Sequence, residues 1–165
     1  MSKYKFLPLM LTYLIPVLYT AIFYFVQIEP NDRSYWQVLI LLVGFYLGNV
    51  FLWADGKFLY RYYNEMQTMP RQLLTRSIVF LLVYVALAIF MITSSGNLIG
   101  VGLILGLGTT LAIEMWQDRQ QLETFHKKYL FQLQRTMTLI EVNRMVYGFA
   151  VFVAAVSIYF LFSRY

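Results

Sequence analysis

At 165 residues the chain has room for one domain, and 60% hydrophobic content, 19% aromatic content and a mean hydropathy of +0.61 set it apart from soluble domains of that size. Charged residues are only 13% of the total and cluster between long apolar runs, so lipid is the expected solvent for much of the surface. The lack of cysteine excludes disulfides and thiolate chemistry, the single histidine, His126, argues against a metal site, and the net charge of +5 sits beside apolar runs, where anionic headgroups rather than nucleic acid would meet it.

The first apolar run, about residues 6–28, follows Lys3 and Lys5. It is too long for a secretory signal and no small-residue cleavage site follows it, so it is expected to be a retained membrane span. Pro8 lies near the helix start, whereas Pro16 is interior and predicts a bend between Thr12 and Pro16, because its missing N–H removes one backbone bond. The polar stretch Glu29-Pro30-Asn31-Asp32-Arg33-Ser34 reads as a short loop. A second span, about 35–54, carries Trp36 and Trp53 near its ends, where amphipathic rings meet headgroups. From Asp55 to Ser77 the chain is basic and aromatic, with Phe58, Leu59, Tyr62, Tyr63 and Met66 at helical spacing; it is expected to lie along the headgroups until Pro70 restarts the helix.

The third and fourth spans, about 73–93 and 98–116, are separated by Ser94-Ser95-Gly96-Asn97, a turn short enough to make them an antiparallel hairpin. Gly96, Gly100, Gly102, Gly106 and Gly108 run through this region, with Gly96–Gly100 and Gly102–Gly106 forming two GxxxG patterns on different faces. Such positions let helix backbones approach closely, either within the chain or against a partner. Arg76 and Glu114 lie equally far on either side of Ser95, which puts them at matching depth, and Asp55 ends the second span at the same level. An ion pair is the cheapest arrangement for such charges, and with Asn49 they also suggest a polar path or a headgroup site. Asn49, Thr109 and Thr110 are otherwise explained by hydrogen bonds between helices.

Beyond Trp116 the chain is free of glycine and proline up to Val142, and Asp118 with Gln121 offers a capping start, which predicts a cytoplasmic amphipathic helix over about 119–142. Leu122, Phe125, Tyr129, Leu130, Leu133, Met137 and Ile140 fall on one stripe, and Lys127, Lys128, Gln134 and Arg135 lie elsewhere. The stripe is expected to rest on an anionic membrane surface or on a partner helix. A fifth span, about 145–162, completes the chain.

If there are five spans, Lys3, Lys5, Lys57, Arg61, Arg71, Arg76, Arg119, Lys127, Lys128, Arg135 and Arg144 share one side, and only Arg33 and Arg164 of the 13 basic residues lie opposite. Because cytoplasmic loops accumulate lysine and arginine, the N-terminus is expected inside and the C-terminus outside, with the cytoplasmic (plasma) membrane as the location. The expected fold is therefore all-α, a single membrane domain of about five transmembrane helices with one cytoplasmic amphipathic helix. No GxSxG, HExxH or phosphate-cradling loop is present, so no catalytic, cofactor or metal residues are assigned. The composition favours a non-catalytic subunit or scaffold that docks other membrane subunits or copies of itself, with lipid headgroups at its cytoplasmic face. A small carrier using Asn49, Asp55, Arg76 and Glu114, or a lipid-modifying enzyme with Asp55 or Glu114 as base, are the alternatives.

Overall fold

The computed structural model describes residues 6–27, 35–59, 74–94, 97–133 and 135–163. The expected loop at 29–34, the segment 60–73 with Tyr62, Tyr63, Met66 and Pro70, and Gly96 lie outside them. Six α-helices are formed, with no strand among the described residues: α1 (Phe6–Gln27), α2 (Tyr35–Ala54), α3 (Ile78–Ser94), α4 (Leu98–Asp118), α5 (Leu122–Tyr129) and α6 (Leu139–Phe162). Three stretches, Tyr35–Lys57, Leu98–Asp118 and Leu139–Phe162, are long and apolar enough to cross a membrane, and Met10–Val26 and Ile78–Met91 are shorter apolar helices.

Local chemistry sets the helix ends. α2 continues as a π-helical turn, Asp55–Leu59, and a 3₁₀ turn, Leu74–Arg76, precedes α3. α3 starts at Ile78, later than the apolar run alone implies, because the Ser77 hydroxyl accepts from the Phe80 N–H at 3.1 Å and caps it. Asn97 does the same for α4, its side chain accepting from the N–H groups of Ile99 and Gly100 at 3.0 and 3.4 Å. Thr138 caps α6 with a complete capping box: Glu141 accepts from the Thr138 N–H at 2.8 Å and the Thr138 hydroxyl accepts from the Glu141 N–H at 3.4 Å.

α4 is the axis of the bundle and touches α1, α2, α3, α5 and α6, most extensively α2. α2 and α4 run parallel, since Gly44 meets Gly102 and Gly48 meets Gly106. α1 and α6 run parallel to each other, with the Tyr19 hydroxyl donating to the Ser157 carbonyl at 2.8 Å and Phe23 stacked on Phe160 at 5.4 Å. The core falls into two parts. Around Leu41, Phe45, Leu105, Val156 and Phe160, α1, α2, α4 and α6 meet at one end. Around Leu111, Met115, Phe125, Tyr129 and Val146, α5 closes the other. The outward faces are apolar as well, with Phe25, Trp36, Leu82, Phe90, Val151 and Phe162 all exposed.

Candidate functional site

At the end of the bundle closed by α5, charges from four elements form one network. Arg76 is its centre: Nε and Nη2 donate to Oε2 and Oε1 of Glu114 at 2.9 and 2.8 Å, a bidentate fork that suits a planar guanidinium. Its Nη1 donates to the Leu52 carbonyl at 3.3 Å and the Thr75 hydroxyl at 3.1 Å, and lies 3.7 Å from Oδ2 of Asp55. That same Asp55 oxygen accepts from the Thr75 N–H at 3.0 Å and from the Thr75 hydroxyl. Lys128 extends the chain of charges, 3.3 Å from Glu114 and 2.7 Å from Asp118, and the Tyr129 hydroxyl donates to Asp118 at 3.3 Å. The Asp55 and Arg76 side chains are only 2% and 8% exposed. No buried side-chain polar atom among the described residues lacks a partner. Chemically, acids and bases alternate from Asp55 to Asp118, three carboxylates against two cations, so every charge has an opposite neighbour and the ends of α2, α4 and α5 are tied to the start of α3.

The structure thus brings Asp55, Arg76 and Glu114 together, and sets Asn49 apart from them. Pro16 has no N–H to donate to the Thr12 carbonyl, and Asn49 Nδ2 supplies a donor to that oxygen at 3.4 Å. Asn49 Oδ1 in turn accepts from the Thr110 hydroxyl at 2.6 Å, so one amide links α1, α2 and α4. Thr109 bonds within its own helix, to Leu105 and Gly106 at 2.8 and 3.2 Å.

The glycines face three different neighbours. A methyl built on Gly102 would fall 3.0 Å from the Gly44 Cα, and one on Gly48 would fall 2.5 Å from the Leu103 carbonyl and 2.8 Å from the Leu107 nitrogen. Those obstacles are backbone, so α2 and α4 approach this closely only with glycine at each crossing. Gly106 lies against the Phe45 backbone, and Gly100 makes room for the Met91 side chain. At Gly108 the missing side chain admits the Tyr84 ring, whose hydroxyl donates to the Ile104 carbonyl at 3.1 Å. The second half of the α2–α4 seam, Gly44-x-x-x-Gly48, is a GxxxG pattern in its own right, visible in the sequence but outside the hairpin glycines expected to carry the packing.

One expectation is corrected. The helix expected over 119–142 is interrupted: α5 ends at Tyr129, residues 130–138 are not helical where described, and α6 starts at Leu139. The Thr138–Glu141 capping box breaks the continuous stripe, and its Thr-x-x-Glu signature is legible in the sequence. Phe125, Tyr129 and Leu130 are buried against the chain's own core, so they face neither lipid nor a partner. Leu133 and Met137 are half-buried, and Leu122 and Ile140 are exposed. Lys127 pairs with Glu123 on the open side, Lys128 turns into the network, and His126 Nε2 meets the Arg135 carbonyl at 2.9 Å. Burial, with the nearby carboxylates of Glu114 and Asp118, pushes the Tyr129 phenol well above its ordinary pKa.

Comparison with protein-family models, curated proteins and solved structures finds no match for this chain.

Proposed function

We propose that this chain is an integral membrane protein of five spans, α1, α2, α3, α4 and α6, with its N-terminus cytoplasmic, and that it serves as a non-catalytic packing subunit. Its outer helix faces would meet lipid, other membrane subunits or further copies. Two features support the threading. The five helices alternate in direction through the bundle, and every described lysine and arginine, Lys57, Arg76, Arg119, Lys127, Lys128, Arg135 and Arg144, lies at the network end. Trp53 and Trp116 mark the same level, with the Lys57 and Arg119 cations 4.6 and 3.5 Å from their ring centroids.

The observation that carries the packing role is the charge network: each carboxylate and cation in it has an opposite partner, and no buried side-chain polar atom among the described residues lacks a partner, while the outward helix faces are apolar. Gly102 and Gly106 are taken up by α2, so the surface left for association is the outer one. Gly148 on α6 is exposed, with nothing within 4 Å of an added methyl. Crosslinking in native membranes tests the reading: a discrete crosslinked species is expected, weakened by Gly148→Leu, and a strictly monomeric, partnerless chain would refute it.

A carrier is the second reading, favoured by one observation. Thr110 lies one helical turn from Glu114, so the Asn49–Thr110 bond and the Arg76 network share a face of α4. Proton or solute flux in vesicles that disappears with Glu114→Gln would select it over the packing role.

A further inference from the structure

Where α4 ends beside the first turns of α6, a second group of side chains is arranged apart from the network. The Arg119 guanidinium lies 3.5 Å from the Trp116 ring centroid and 5.5 Å from that of Tyr147. Its Nη1 donates to the Tyr147 hydroxyl at 3.2 Å, and the two rings meet edge to face at 5.2 Å. Stacking occupies the face of the guanidinium and Tyr147 takes one N–H, which leaves the rest of the fork's donors in a held plane. Arg144, exposed, is one turn before Tyr147 on α6 and shares its side of that helix. The acids nearby are engaged by other groups: Asp118 by Lys128 and Tyr129, Glu141 by Arg135 and the Thr138 cap, although Glu141 also feels the Arg144 charge.

We propose that Arg119 and Arg144, backed by Trp116 and Tyr147, form a binding site for one phosphate-bearing anion, the headgroup of an anionic phospholipid. Arginine held flat on an indole offers phosphate a preorganised pair of donors at little entropic cost, and the second arginine supplies the remaining charge. Lipid is the favoured source because the surface continues along α6 through Val151 and Ile158, 67% and 55% exposed, which an acyl chain would cover. The site rests on the reading that this end of the bundle lies at a membrane surface.

The test is native mass spectrometry of the full-length protein, titrated in detergent with phosphatidylglycerol, phosphatidylcholine or inorganic phosphate. One phosphatidylglycerol should be retained in preference to phosphatidylcholine. Arg119→Gln and Arg144→Gln should each lower that retention about fivefold, and Lys127→Gln should leave it unchanged. Arg144→Gln touches only an exposed side chain, so it reports even if Arg119→Gln disturbs packing. Equal retention of the two lipids, or retention indifferent to both arginines, overturns the site; displacement by inorganic phosphate at the lipid's own concentration overturns the lipid as its source. Alkaline carbonate extraction separates the two levels: a chain released from membranes refutes the membrane reading itself, whereas a chain that stays embedded but shows no preference refutes only this site.

Discussion

Arg76 holds two carboxylates that would otherwise face each other in a poorly solvated place, so its loss is felt mainly through what it leaves behind. Arg76→Met is expected to destabilise the protein by about 3–5 kcal/mol, read from denaturant unfolding in mixed micelles, because Asp55 loses its counter-charge and Glu114 keeps only Lys128. Replacing Glu114 by Met in the same chain should recover only part of that loss, because Asp55 stays buried without its counter-charge, and the triple variant with Asp55→Asn should recover more. Asn49 acts on a smaller scale. With the helices in lipid as proposed, interhelical hydrogen bonds average about 0.6 kcal/mol, so Asn49→Leu should cost about 1 kcal/mol for its two contacts. The cost should shrink in a Pro16→Ala background, where the backbone at position 16 regains an N–H for the Thr12 carbonyl; a double-mutant cycle that shows no coupling would count against this account of the bend.

At the level of elements, the α2–α4 seam and the α5–α6 connection respond differently to change. Leucine at Gly48 or Gly106 meets backbone that has nowhere to move, so either variant should separate α2 from α4 and show as loss of the wild-type peak on size exclusion. Thr138→Ala removes both hydrogen bonds of the Thr138 hydroxyl, the one it donates to the Glu141 carboxylate and the one it accepts from the Glu141 N–H, and on this exposed cap should lower the melting temperature by only a few degrees. Tyr129 couples α5 to pH. The unfolded chain loses this phenolic proton near pH ~10, whereas the folded chain keeps it, so the unfolded state binds fewer protons there. The contribution of Tyr129 should therefore be constant below that value and diminish as pH rises beyond it, and Tyr129→Phe should flatten the alkaline limb of thermal unfolding.

For the whole molecule the open quantity is its threading, and the chain is suited to measuring it because it contains no cysteine. Single cysteines at Lys127 and Ser163 lie at opposite ends of the bundle. With the proposed orientation, an impermeant thiol reagent added to intact cells should label the Ser163→Cys protein and spare the Lys127→Cys protein. The reverse pattern would invert the topology, and equal labelling would remove the span between them.

Much of the helical content was readable from the chain because apolar runs of about 20 residues, bounded by turn formers and charges, have few other solutions. The depth symmetry about Ser95 likewise anticipated that Arg76 and Glu114 would be neighbours. Gly44-x-x-x-Gly48 and Thr138-x-x-Glu141 are local signals in the sequence as well, but each gains its meaning only from the helix it meets or starts. Only tertiary structure could decide which glycine meets which backbone, that Asn49 answers Pro16 from another helix, and that the α5 stripe turns inward while Lys128 joins the network. An apolar stripe specifies that a face must leave water; whether it goes into lipid, a partner or the chain's own core depends on what packing leaves uncovered, and no single segment carries that information.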